Sequence, residues 1–483
     1  NQEDITMKKK LLSGLIFAAF NLTNYTCAMM PLDDNELSKV DGQALLNLEN
    51  SSDASQGLNF HKLSIAALME LNVNIKTLQL GCGGTNNSYK VGCDIDISNL
   101  SLSGLNTTSD SNGSPTFGGE GRAATSASIT NPFIEFAIKG NTAATREVAG
   151  FRLGAQNIMG LLTLGTENGQ NPSDGIQSFT GYMKMAQTQG EARTKATKFG
   201  NTDAEKIKGN IEVNMLVSKP NRTFTSKPFT DGQVTEGHTG ITVPSMLVNF
   251  TMPETIVTGS RLKSATVSGI RSSIPTIPLA AAESGKNLPD TVITVPDFSK
   301  DQLYVEFPGL IGDSIGNHAF FKMLPGSSLD NLNMDITFEQ ALSMIHNIPL
   351  NGTGGYLSLQ NQNVKWQGTD AADIARPGWW MSFKDPIQLG YLQTQDEVDI
   401  SYVLPQVATA ISDFLLRPEN LINVSLTEAL GTIADVPVVK KLNINVGGFT
   451  SYDTGRPASL TLQDKILKNQ TVPTNCFGGH KFC

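Results

Sequence analysis

Apolar and polar residues alternate along much of this chain, and that period of two restricts its fold more than any other feature. Ile211-Glu212-Val213-Asn214-Met215-Leu216-Val217 is the strongest instance, and Leu442-Asn443-Ile444-Asn445-Val446 repeats it near the C-terminal end. Side chains two apart lie on one face of a strand, so such runs give half-buried β-strands. Val73, Ile75, Leu78 and Leu80 lead into Cys82, and Ile95, Ile97, Leu100 and Leu102 follow Cys93. Between the cysteines lies a Gly/Asn-rich turn, which predicts a hairpin over this stretch. Further strand runs are Phe133–Ile138, Ala149–Leu153, Ile158–Leu164, Phe179–Met185, Leu303–Phe307, Asn333–Ile336 and Tyr356–Leu359, with Val364–Trp366 paired to the last. The fold class expected is mainly β, as extended antiparallel sheets or a sandwich-like arrangement, with a few short helices.

Helical spacing is confined to short pieces. Val407, Ala410, Ile411, Phe414 and Leu415 share one helix face, which predicts a helix over Gln406–Leu416. A second short helix is expected over Leu426–Ala434, and a third from the capping-box pattern Thr337-Phe338-Glu339-Gln340 to about His346. Residues 106–130 are rich in Ser, Thr, Gly and Asn and read as a long loop; residues 187–209 read as a surface helix or loop. Between residues 218 and 300 eight prolines interrupt β-branched runs, so the strands there are expected to be short or peripheral. Pro275 to Pro289 is the expected internal boundary. The chain then divides into upstream residues plus a signal (1–28), an N-terminal motif segment (29–50), a β-rich domain (51–280), a β-rich domain with helices (281–470) and a tail (471–483).

Lys8-Lys9-Lys10, the apolar run Leu11–Phe20 and the small residues around Ala28 form a secretory signal. Its apolar run is too short to span a membrane, and no transmembrane helix is expected in the mature chain. The net charge of −9 and the lack of a dense basic block argue against nucleic-acid binding. Charged residues are only 17% of the chain, which suits an exported β-protein. Four cysteines follow the signal. Cys82 with Cys93, and Cys476 with Cys483, close short loops that need no long-range geometry, and export permits such disulfides.

Sites of chemistry are scarce. The histidines at 61, 238, 318, 346 and 480 form no HExxH arrangement, and His346 reads as a packing residue. Gly312-Asp313-Ser314-Ile315-Gly316 resembles a nucleophile elbow, but Pro308-Gly309 before it points to a loop. Asp94-Ile95-Asp96 and Asp396-Glu397-Val398-Asp399 cluster carboxylates without an EF-hand ligand order, so no metal and no cofactor are expected. Trp366, Trp379 and Trp380 are candidate partner-binding aromatics, with packing at a β corner as the alternative role.

Leu32-Asp33-Asp34-Asn35-Glu36-Leu37-Ser38-Lys39-Val40-Asp41-Gly42-Gln43 resembles the start of exported β-rich proteins of gamma-proteobacteria described as putative pilus-system or pilus-assembly proteins. Met344–Leu350, Gly378–Ser382 and Pro386–Gly390 are similar to the second half of such chains. The same N-terminal motif is similar to a double-glycine leader, with Asp41-Gly42 in place of the glycine pair. The resemblance implies a non-catalytic structural, adhesive or assembly role at the Gram-negative surface or envelope, with other pilus or envelope proteins as partners. It supplies no catalytic residue. Two other roles compete with it: a periplasmic carrier with an apolar ligand in a β groove, and a calcium-dependent or hydrolytic secreted enzyme.

Overall fold

The computed structural model of the chain describes residues 45–84, 86, 90–105, 108–109, 115–117, 119, 121–228, 239–309, 316–447 and 457–475. The expected secretory signal, the Leu32–Gln43 motif, Cys476, Cys483, His238, His480 and most of Gly312–Gly316 lie outside these residues. Strands make up 53% and helices 10%. The mainly-β expectation holds.

One eleven-stranded sheet organises the first half and recruits strands from the second. Ten of its strands are labelled here: β1 (Leu46–Asp53), β2 (Leu58–Ile65), β3 (Val73–Leu80), β4 (Ile95–Ser103), β5 (Ala127–Lys139), β6 (Glu147–Leu164), β7 (Gly175–Met185), β8 (Thr255–Leu262), β9 (Asn347–Gln360) and β10 (Gly378–Phe383). Their spatial order is β1-β2-β5-β6-β9-β10-β7-β4-β3, with β8 added to β7 and Leu68–Leu71 added to β5. β6 is long enough to have two neighbours in succession along one edge. Residues 147–159 pair with β5, and residues 161–164 pair with β4. That second pairing closes β4, β6, β9, β10 and β7 into a ring, while β5, β2 and β1 extend from it as an open wing.

The predicted hairpin is β3 and β4, antiparallel, with Cys82–Cys93 joined across its turn. A second layer is built on Ser264–Pro278 and Ser328–Ala341, which pair antiparallel, with Ala458–Gln463 parallel to the latter. A six-stranded sheet lies beyond and carries the two described α-helices, α1 (Leu404–Leu415) and α2 (Leu426–Gly431). Leu404, Val407, Ala408, Ile411 and Leu415 are the buried face of α1. Ser425 and Glu428 cap α2 reciprocally. A single hydrophobic cluster runs from Ile95 to Leu467, with strands from both sides of Pro275–Pro289 in it.

Several local expectations fail for reasons of pairing. Thr337–Gln340 caps no helix: it lies inside the strand Ser328–Ala341, and a 3-10 turn, Leu342–Met344, follows. Met334, Ile336, Phe338 and Gln340 are buried alternately, and strands flank both edges, so tertiary pairing overrides the local cap signal. Residues 187–209 hold no α-helix but the strands Thr188–Arg193 and Thr197–Phe199, each with an antiparallel partner. Ser264–Pro278 is long despite two prolines, and it meets the expectation of short or peripheral strands by its position: it is the edge strand of its sheet, where a missing N–H breaks no ladder. Val364 bridges Ala375, and Tyr356–Leu359 pairs with β6 and β10. Within 106–130, Arg122 is buried and donates to Thr474 O at 3.0 Å and Asn475 Oδ1 at 2.6 Å, which ties the start of β5 to the chain's last described residues.

Candidate functional site

The wing presents two chemically opposite faces, and the register says which residues share each. One row across the strands reads Glu49, Lys62, Glu135, Arg152, Ser358, Trp380. Charges of opposite sign alternate over its first four positions, which favours this register over a shifted one. Lys62 Nζ lies 3.2 Å from Glu49 Oε2. Arg152 Nε donates to Glu135 Oε2, and both side chains are nearly inaccessible. Arg152 Nη2 donates to Gln367 O at 2.9 Å. The guanidinium also sits 5.1 Å from the ring centroids of Phe133, Tyr356 and Trp366. A buried ion pair enclosed by aromatic rings is a polarised, geometrically rigid unit.

Next to it stands a buried carboxylate. The chain between β9 and β10 folds back over this face, bringing Trp366 and Asp373 onto it. Asp373 accepts hydrogen bonds from Tyr356 Oη at 2.8 Å, Trp380 Nε1 at 2.9 Å and Ser382 Oγ at 2.7 Å. Burial, with the neighbouring Asp373 charge second, pushes the Tyr356 phenol above its ordinary range. Where the fold-back segment stops, a cleft of about 370 Å³ remains open between Gln367–Thr369 and strands β1 and β2. Arg152, Phe133 and Tyr356 form its inner wall, and Lys62 and Lys384 also line it.

The opposite face is apolar. Leu48, Leu63, Ile134, Leu153, Leu357 and Met381 form one row; His61, Phe136, Phe151, Leu359 and Trp379 form the next. Leu48, Leu63, Ile134 and Leu153 are between 39 and 74% exposed, and Phe136 is 42% exposed. Four aliphatic residues side by side at that exposure are a patch, not scattered surface apolar groups. The row ends at β1, whose second edge has no partner among the described residues. β1 carries no Lys, no Pro and no bulge; its charges are Glu49, paired with Lys62 on the opposite face, and Asp53 at its end.

The three predicted aromatics separate. Trp366 and Trp380 are buried in the cluster beside Asp373, so their rings are not available to a partner. Packing at the β corner is their role. Trp379 is half-buried on the apolar face, edge-on to Phe151 at 6.1 Å between centroids. The cysteine pair does not act alone either. Asp94, next to Cys93, accepts from Arg261 Nε at 3.0 Å, Asn86 Nδ2 at 3.1 Å and Trp379 N at 3.1 Å, and is itself buried. Gly81 and Gly378 have positive φ and face this carboxylate so closely that a Cβ at either would overlap it. Asp94 is thus occupied by protein donors, and Asp96 accepts from Gln79. No group of three or more metal-ligating side chains occurs among the described residues. His346 is buried, with Nδ1 donating to Leu164 O at 2.8 Å.

No family model, no curated protein and no solved structure matches this chain. The functional reading therefore rests on the geometry. Arg152, Glu135 and Asp373 are the residues that sequence reading missed. A signal was present for two of them: Glu135 and Arg152 each interrupt an apolar strand run at the central position, as Phe-Ile-Glu-Phe and Phe-Arg-Leu.

Proposed function

We propose that this chain is a non-catalytic exported protein of the cell surface or envelope, a structural, adhesive or assembly component of a pilus-like system that engages a partner by strand addition at β1. The observation that carries the reading is the open β1 edge, eight residues long and continuous with the exposed Leu48–Leu153 row. An added strand would satisfy the edge's main-chain groups and cover its apolar side chains together. The secretory signal at Lys8–Ala28 and the resemblance of Leu32–Gln43 to pilus-associated chains support the compartment. No described helix is long and apolar enough to cross a membrane. The carrier reading finds less support, because apolar interior cavities among the described residues have volumes of only about 30, 40 and 50 Å³. A small-molecule pocket ordinarily needs about 300 Å³ or more.

The test is mass spectrometry of sheared surface material beside whole cells, on cells expressing the natural chain or Leu48→Lys. The natural chain is expected in the sheared fraction with its N-terminus beyond Ala28. Leu48→Lys places a charge on the edge and is expected to lower that fraction several-fold, with total protein and melting temperature unchanged. Recovery of the natural chain only as a soluble periplasmic monomer refutes the proposal.

A further inference from the structure

On the face opposite the apolar rows, the cleft beside Arg152 has the chemistry of a binding site, and nothing in the strand-addition reading uses it. Donors outnumber acceptors on its walls. Arg152 Nε and Nη2 have partners, whereas Nη1 has none among the described residues, although the side chain is about 95% buried and lines the cleft. Nη1 is not sealed from solvent, so a guanidinium N–H without a protein acceptor is open to a charge-assisted hydrogen bond from an acceptor supplied from outside. Lys384, exposed at the mouth, makes no ion pair among the described residues and adds a second positive charge. Glu135 neutralises Arg152 and Glu49 neutralises Lys62, so among the lining residues Lys384 supplies the charge that is not already paired.

The rest of the lining specifies what carries the anionic group. Asn47, Asn131, Gln156 and Gln367 contribute amides, each with both a donor and an acceptor, and a sugar hydroxyl needs the same two. Gln156 Oε1 accepts from Asn131 Nδ2 at 2.7 Å, which leaves the Gln156 amide N–H groups for a ligand. Phe133 is not an open platform for a planar apolar ligand, because Lys62 Nζ and the Arg152 guanidinium both lie 5.1 Å from its ring centroid. A volume of about 370 Å³ falls in the range of small-molecule sites and holds one or two pyranose rings. The floor is pre-formed. A Cβ on Gly154 would lie 2.5 Å from Phe133 Cζ and 2.9 Å from Tyr356 Cβ, so these strands pack this closely only with glycine.

We infer that this cleft binds a carboxylate-bearing saccharide, a uronate, with the carboxylate at Arg152 Nη1 and Lys384 and the ring hydroxyls on the surrounding amides. Asn47 and Glu49 of β1 line this site, but Gln156 and Lys384 lie on other strands and segments, so loss of ligand binding in variants at those two positions leaves the proposed strand addition at β1 standing.

The experiment is saturation-transfer NMR on the full chain near neutral pH and about 0.15 M salt, titrating D-galacturonate, D-galactose and acetate separately. Galacturonate is expected to saturate in the millimolar range or below, with galactose and acetate each at least about tenfold weaker. Lys384→Glu is expected to weaken galacturonate about tenfold with the melting temperature unchanged. Gln156→Leu, also at an exposed position, is expected to weaken galacturonate while leaving acetate as it was. These two surface variants avoid the risk that an Arg152 substitution unfolds the wing. Equal binding of galactose overturns the carboxylate assignment, equal binding of acetate overturns the saccharide assignment, and no saturation by about 20 mM galacturonate, or an unaffected Lys384→Glu, overturns the site.

Discussion

Arg261→Met is the most informative single substitution in the chain. Arg261 lies at the end of β8, and its guanidinium reaches across to the disulfide turn. Nε donates to Asp94 Oδ1 at 3.0 Å, Nη2 donates to Gly81 O at 3.0 Å and Gly83 O at 2.8 Å, and Nη1 donates to Lys90 O. Both charged side chains are 3% exposed. Methionine keeps much of the volume and removes the charge and every donor. Among the described residues, Asp94 would then be a buried carboxylate held by Asn86 Nδ2 and Trp379 N. Breaking a buried pair from one side costs about 3–5 kcal/mol. The three carbonyls sit in a turn that water reaches, so their loss adds only about 1 kcal/mol more. The expected destabilisation is therefore about 4–6 kcal/mol, read as a shift in urea midpoint by tryptophan fluorescence, with urea chosen because it does not screen charge. Adding Asp94→Asn to Arg261→Met removes the stranded charge and is expected to restore about 2 kcal/mol, although Asp94→Asn alone destabilises. A cost below about 1.5 kcal/mol for Arg261→Met, or simple additivity in the double variant, refutes the argument that the pair fastens this corner.

Three further outcomes follow from the same packing. Asp373→Ala leaves the Tyr356, Trp380 and Ser382 donors without their acceptor in a buried site; a loss of about 3–5 kcal/mol in urea unfolding is expected, with a smaller loss for Asp373→Asn. His346 has its pKa lowered below the ordinary value of 6.5, by burial first. Its folded value being depressed, its contribution to stability is complete above 6.5 and is lost as pH falls from there toward the folded value; melting temperatures between pH 7.5 and pH 5 should decline in the natural chain and decline less in His346→Gln. Trypsin cleaves after Lys76, Lys90 and Arg122, so residues 77–90 and 91–122 should run as one species before reduction and two after it. Removing that disulfide as Cys82→Ser/Cys93→Ser should cost about 2.5–3 kcal/mol in urea unfolding.

The sequence carried the strands wherever one face is buried and the other wet. The β3–β4 hairpin with its Cys82–Cys93 turn, and the helices α1 and α2, could be read from local pattern because their stabilising contacts are periodic. Ser328–Ala341 could not be placed wholly, because Thr337-Phe338-Glu339-Gln340 also spells a cap and only the flanking strands decide between the two. The cleft was illegible for a different reason. Its inner wall needs Glu135, Arg152, Tyr356 and Asp373 together, and their adjacency is created by the register of β5, β6 and β9 and by the fold-back of residues 361–377. Tryptophans are conspicuous in a sequence and drew the site prediction to Trp366 and Trp380, which are the anchors of that fold-back and not its exposed surface. The apolar face was hidden by ordinariness. Leu48, Leu63, Ile134 and Leu153 each look like core residues until the register puts them in one uncovered row.

The shared strand β6 has a mechanical consequence. A sheet with an edge can be peeled one ladder bond at a time, whereas a closed ring offers no first bond to peel. Pulling on β1 across the strand direction would unzip the wing toward β6 and stop there, because β6 is held on both sides where β4 and β9 flank it. Pulling along β1 would load all of its bonds to β2 at once. The wing would therefore behave as a yielding strap and the ring as the cleat to which it is fastened, so the direction of tension, more than its size, would set which part gives way.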